Sequence, residues 1–372
     1  MNILFITFGY LSVGEGAVRS VSILRALADA GHHVDVASAG LDMAAHPNIR
    51  VLTGDGTRPA SRRRIRLSAL RAMSRTSYQV VHAVDEAVIY VTRLSRLKRI
   101  HIVYEASRCF TGTNAVPPSF RWKLFPDHYH RLEKKALKRT SMILSSCDGL
   151  SADLRKLREE INIQLVEDIP AHALLSTRKI AGYMAELGFE GGAGFIVACR
   201  VLPGNNDELR TLLLSARKVI ERIPDAGFIF KGIPERDAQT MATNLDIHRR
   251  CIFLHNDEPE RFLGALALAD AALFVPSPGC RYPHPEIFTL LNSRALVVAV
   301  HDAAYSSLLH AGNSIQVDYT AISISEGLLR VYHEPLISYG IVADAQQLIA
   351  DRYSYSSFKH RIRMAYYEMS KT

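Results

Sequence analysis

The chain has 372 residues, 48% hydrophobic and 22% charged; that is ordinary globular composition, and more length than one hydrophobic core usually organises, so two domains are expected. Its longest apolar stretch, Ala265 to Pro276, is broken by Asp270 and falls short of the roughly 20 residues that span a bilayer. Five scattered cysteines with no C-x-x-C spacing argue against both a disulfide framework and a zinc site. The formal charge of +8 is uneven: residues 1–176 carry 25 Lys and Arg against 16 Asp and Glu, and the remainder is near neutral.

Met1 to Ile6 has no basic n-region and reads as a first buried strand, so a cytoplasmic protein is the expectation. The apolar run Asn2 to Phe8 leads into Gly9-Tyr10-Leu11-Ser12-Val13-Gly14-Glu15-Gly16, then a helical pattern with Val18, Val21, Leu24 and Leu27 on one face, ended by Gly31. Strands follow at His33 to Ala37, Ile49 to Leu52, Val80 to Ala83, Ile100 to Tyr104 and Met142 to Ser145, with a helix at Tyr129 to Lys138. Strand alternating with helix is the grammar of a parallel sheet.

The grammar restarts at Gly194. Strands are expected at Gly194 to Cys199, Gly227 to Lys231, Cys251 to Leu254, Ala271 to Val275 and Leu296 to Val300, with helices at Glu208 to Ile223, Asp237 to Leu245, Glu258 to Ala269 and Glu286 to Ser293. The fold class is therefore α/β, with two Rossmann-like, doubly wound parallel-sheet domains facing a cleft. The divisions are residues 1–170, a linker at 171–193, residues 194–350, and C-terminal helices at 351–372 packing across the junction.

The positions at strand ends carry the chemistry. Arg200 and Lys231 each close a strand, where open α/β sheets bind ligands, and cations there suit phosphate. Gly14 and Gly16 let the backbone turn sharply before the first helix. Ile287 and Phe288 can offer amides at a helix start, with Glu286 beside them as either a ligand neighbour or a plain capping residue. His82 and Glu105 end strands on the first domain and are candidates for the reacting centre. Ser61 to Arg75, rich in arginine with Leu67, Leu70 and Met73 on its less charged side, reads as a solvated helix or a contact for an anionic membrane surface. No reader motif or interleaved aromatic pattern for nucleic acid is present.

Several of these segments, in order, resemble the GT-B glycosyltransferases, and most nearly the retaining enzymes of family four. They are Asn2-Ile3-Leu4-Phe5-Ile6 with Gly14-Glu15-Gly16-Ala17; Ala30-Gly31-His32-His33-Val34-Asp35-Val36; Val80-Val81-His82-Ala83; Ala198-Cys199-Arg200-Val201-Leu202-Pro203; Ala269-Asp270-Ala271-Ala272-Leu273-Phe274-Val275-Pro276-Ser277; and Ile287-Phe288-Thr289-Leu290-Leu291-Asn292 before Val297-Val298-Ala299. The resemblance implies transfer of a sugar from a nucleotide-diphosphate donor to a glycan or lipid-linked acceptor, with retention and without metal or other cofactor. It implies a donor site of Arg200, Lys231, the Glu286 to Phe288 turn, Thr289 and the Gly14–Gly16 loop, with His82 and Glu105 facing the transferred sugar. It also implies a protein that is cytoplasmic or peripheral at the inner membrane face.

Three family positions differ. The lysine five residues after Arg200 is Asn205, followed by Asn206, and the paired glutamates are Arg281 and Thr289. A catalytically inactive relative that binds or regulates a partner is the alternative these departures raise.

Overall fold

The computed structural model describes residues 1–12, 17–53, 59–94, 100–109, 126–171, 192–201, 206–232, 235–255, 259–277 and 281–369, with single positions 124, 182 and 371. Its strands are β1 (Asn2–Ile6), β2 (Tyr10–Ser12), β3 (His33–Ala37), β4 (Gly40–Asp42), β5 (Ile49–Val51), β6 (Val80–Val84), β7 (His101–Ala106), β8 (Met142–Ser145), β9 (Ile163–Leu165), β10 (Phe195–Val201), β11 (Ala226–Lys231), β12 (Cys251–Leu254), β13 (Ala271–Val275), β14 (Leu296–Val300) and β15 (Ile315–Val317). The helices are α1 (Val18–Asp29), α2 (Arg62–Arg75), α3 (Ala87–Leu94), α4 (Pro126–Leu137), α5 (Asp148–Leu157), α6 (Asn206–Arg222), α7 (Glu235–Asn244), α8 (Pro259–Leu268), α9 (Glu286–Leu291), α10 (Ala321–His333), α11 (Pro335–Arg352) and α12 (Tyr355–Met369).

The chain divides into two units. One holds Met1–Asp168 together with Tyr355–Thr372, the other Ile169–Ser354. The first carries a parallel sheet in the order β5-β3-β1-β6-β7-β8-β9, and the second a parallel sheet in the order β12-β11-β10-β13-β14-β15. In both, the first strand of the unit lies inside the sheet, and the strand order reverses beside it: between β1 and β6, and between β10 and β13. Such a reversal leaves a crevice at the carboxyl ends of the strands, the usual ligand position in this architecture.

The chain changes units between Ser354 and Tyr355, and α12 packs on α1 in the first unit. Its buried residues Phe358, Ile362, Ala365, Tyr366 and Met369 recur at helical spacing, which gives α12 one apolar face.

α1 forms where its apolar face was read, with Val18, Val21, Leu24 and Leu27 buried. It stops because Gly31 takes a φ of +80°, a conformation that a side chain would strain.

In the second unit the period of two divides each strand between two faces. Val197, Cys199, Phe228 and Phe230 join one buried cluster with residues of α6 and α10. Ala198 and Ile229 join another, with Phe262, Ile287 and Phe288 from α8 and α9. Arg200 and Lys231 follow Ala198 and Ile229 by two residues, so both lie on the α8/α9 face.

Candidate functional site

β10 and β11 pair in parallel with Arg200 opposite Lys231. Both residues are buried, 6% and 3% exposed, although each is a cation. Desolvation of that size is tolerated only where a counter-charge is supplied. Glu286, the first residue of α9, supplies it. Arg200 Nε donates to Glu286 Oε2, and Lys231 Nζ donates to Glu286 Oε1 at 3.0 Å. Arg200 Nη1 also donates to the Val201 carbonyl at 2.7 Å, and Lys231 Nζ lies 5.4 Å from the Phe262 ring centroid. Gly232, at φ +103°, passes so close that a Cβ would collide with the Val201 carbonyl oxygen and Arg200 Nη1, which makes glycine obligatory there.

The charges shape one another. Burial alone would raise the Glu286 carboxyl, but Arg200 and then Lys231 outweigh it and hold it at about 2. Burial pushes Lys231 below its ordinary value, and Arg200 adds to that against the pull of Glu286. His284, whose Nδ1 lies 3.6 Å from Glu286 Oε2, is brought down to about 4 by burial and by the same two cations, so it is neutral near pH 7.

The start of α9 is arranged differently from the expected phosphate cradle. The Ile287 N–H donates to the His284 carbonyl at 3.1 Å and the Phe288 N–H to the Pro285 carbonyl at 3.2 Å. Pro285 at the N-cap has no side-chain oxygen to satisfy these amides, so the turn closes on itself. Their side chains face inward, Ile287 fully buried and Phe288 packed 4.6 Å from the Tyr353 ring. Thr289 is buried too, and its hydroxyl accepts the Ala171 N–H at 2.9 Å. Arg281 is exposed.

In the first unit, His82 and Glu105 are an interior pair rather than a reacting surface. His82 on β6 stands beside Val103 of β7, and Glu105 follows two residues later on the same face. His82 is 0% and Glu105 2% exposed. The His82 ring stacks on Phe5 at 4.4 Å; its Nδ1 meets the Tyr366 hydroxyl at 2.6 Å and its Nε2 meets Glu105 Oε2 at 2.9 Å. Both ring nitrogens of His82 are thus engaged inside the first unit.

Glu105 Oε1 accepts from Ser20 Oγ at 2.6 Å and lies 3.8 Å from Arg19 Nε, and Arg19 Nη1 donates to Asp168 Oδ1 at 3.0 Å. Burial pushes Glu105 up, yet His82, Arg19 and Ser20 together hold it below its usual range. Gly14 and Gly16 lie outside the described residues, as does Asn205.

Sequence reasoning missed His284, Arg19 and Asp168, and read Tyr366 only as an aromatic anchor of the C-terminal helices. Arg19 had a visible signal, a cation in the first turn of a helix whose neighbours Val18 and Val21 are apolar. Asp168 had none, and the His82 partner of Tyr366 had none either, because these contacts join residues 149 and 284 positions apart.

No family model matches the sequence, and no curated protein matches it. Solved structures do. A sucrose-phosphate synthase from Thermosynechococcus elongatus superposes with a TM-score of 0.73 at 14% identity, covering 100% of this chain and 99% of that one. HepE of Anabaena, solved in complex with UDP-glucose, gives 0.68 at 14% identity over 99% and 100% of the two chains. The chain has the GT-B fold. A GT-B likeness of this kind also extends to a putative UDP-N-acetylglucosamine 2-epimerase from Listeria monocytogenes, at 0.65 and 10% identity over 100% of this chain and 97% of that one. The GT-B fold therefore hosts more than one chemistry, and function has to be argued from the site.

Proposed function

We propose that the protein is a glycosyltransferase that moves a sugar from a nucleotide-diphosphate donor. The observation that carries this reading is the pair of buried cations, Arg200 and Lys231, in register at the ends of β10 and β11, β10 being the strand beside which the order of the second sheet reverses. Two solved neighbours, HepE in complex with UDP-glucose and the catalytic domain of starch synthase IV from Arabidopsis thaliana bound to ADP and acarbose, support a nucleotide donor.

Glycosyl transfer from such a donor builds negative charge on the departing diphosphate. Fixed cations in a desolvated site stabilise that charge at no reorganisation cost during the reaction. Lys231 takes the part of the lysine that Asn205 replaces, from the neighbouring strand instead of the following loop. The acceptor is a glycan or a lipid-linked molecule, and transfer proceeds with retention and without metal. His82 and Glu105 hold the first unit together and do not touch the sugar.

A non-catalytic reading is favoured by one observation: Glu286 already occupies the two cations. A protein that only displays this fold would keep that ion pair closed and bind no nucleotide. Thermal unfolding of the full chain with UDP-, GDP-, ADP- and TDP-sugars separates the readings, because a ligand of the native state raises the midpoint by mass action. A shift with one nucleotide series is expected, and Arg200→Ala should weaken that ligand by at least about 1.5 kcal/mol, the low end for a charged hydrogen bond. No shift at millimolar concentration favours the non-catalytic reading.

A further inference from the structure

Glu286 bridges two cations as a phosphate would, through one oxygen to each. Oε2 takes Arg200 Nε and Oε1 takes Lys231 Nζ, the arrangement that two non-bridging phosphate oxygens adopt over a pair of positive groups. The three partners differ in freedom. The Glu286 side chain is 24% exposed, against 8% for Arg200 and 4% for Lys231. Arg200 is fixed further by the Val201 carbonyl and by the close pass of Gly232, and Lys231 by the Phe262 ring. The cations are thus fixed, and the carboxylate, at the first position of α9 and partly open to solvent, is the member able to rotate away.

With His284 neutral, the cluster carries one net positive charge instead of two. An entering diphosphate meets a site that is already half-neutralised, with Arg200 Nε and one Lys231 N–H engaged by Glu286.

We propose that Glu286 is an internal competitor for the donor's phosphates, a carboxylate that occupies the Arg200–Lys231 pair until a phosphate displaces it and thereby sets the affinity of the site for anions. This deepens the donor reading above and rests on it for the identity of the ligand. Glu286 then acts as a specificity-determining residue: displacement repays its cost only for a ligand that puts oxygens on both cations at once. A ligand with a single weak anionic group does not open the site.

The test uses inorganic pyrophosphate as a probe carrying the phosphates alone, measured by calorimetry and thermal unfolding on the full chain, beside the nucleotide panel. Glu286→Gln keeps the shape and removes the charge, and it should bind pyrophosphate at least tenfold more tightly than wild type. Glu286→Asp keeps the charge but is one methylene too short to bridge both cations, and it should fall between the two. It also serves as the test variant should Glu286→Gln fail to fold.

Equal or weaker pyrophosphate binding by both variants overturns the proposal, because the carboxylate would then be a structural brace or a ligand contact. Absence of pyrophosphate binding by wild type and variants alike overturns it too. Tighter pyrophosphate binding by Glu286→Gln with no response to any nucleotide would leave the competitor in place and remove the donor reading instead.

Discussion

Acid should act on the second unit through two side chains in sequence, His284 and then Glu286. His284 has its folded value brought from 6.5 to about 4. Between those limits the unfolded chain takes up a proton that the folded chain refuses, so stability falls as pH drops from about 6.5 to 4. Glu286 is held at about 2 against an ordinary 4.5, so the stabilisation it gives is complete above 4.5 and is lost as pH falls toward 2. Urea midpoints measured from pH 7 to pH 2 should show both limbs in wild type. Glu286→Gln should lose the lower one. A midpoint that stays flat down to pH 4.5 would mean that His284 titrates as an ordinary histidine. The residue scale is also where sequence reading was weakest. Arg200, Lys231 and Glu286 were each identified singly, but a strand-end cation reads the same whether a ligand or the chain's own carboxylate answers it.

Elements were far more legible, because their periods are local. Strands at His33–Ala37, Met142–Ser145, Cys251–Leu254, Ala271–Val275 and Leu296–Val300 stand where the apolar runs placed them. The short β2, β4, β9 and β15 were missed, since three residues carry little pattern to distinguish from a loop. α2 shows how a correct helix can still be assigned the wrong face. Met73 is buried with Ile65, Ala69 and Ala72, whereas Leu67 and Leu70 are more than 40% exposed among the arginines. Arg62 and Arg66 are held by the unit itself, Arg62 on Glu86 and both over the Phe8 ring. Arg63, Arg64, Arg71 and Arg75 remain exposed beside Leu67 and Leu70. A basic surface carrying apolar side chains suits an anionic bilayer, where each such residue contributes roughly 1 kcal/mol. The full chain should therefore sediment with vesicles containing phosphatidylglycerol and not with pure phosphatidylcholine. Replacing those four arginines by glutamine should abolish the difference, and equal partition of wild type into both vesicle types would refute a membrane role for α2.

At the scale of the whole molecule, the first unit is discontinuous in sequence, and that has a thermodynamic consequence. Two repeats of strand and helix grammar made the two sheets legible, and the C-terminal helices were expected at the junction, but nothing local announced that Tyr355–Met369 groups with the first unit. That segment is α12, whose Phe358, Ile362, Tyr366 and Met369 are each at most 2% exposed. Burying side chains of this size contributes roughly 1.5–3 kcal/mol each, about 6–12 kcal/mol together, which is comparable to the 5–15 kcal/mol or so that stabilises a typical domain. Loss of Tyr366 would also leave His82 Nδ1 without its hydroxyl partner inside the core. A chain of residues 1–168 should accordingly lack a cooperative urea transition, whereas residues 169–354, which form a unit without α12, should retain one. Joining residues 355–372 to the end of 1–168 through a flexible glycine-serine linker should restore the transition, with circular dichroism as the readout. Were residues 1–168 to unfold cooperatively at the same urea concentration with and without that segment, α12 would be a surface addition, and the His82–Tyr366 contact would contribute little to holding the first unit together.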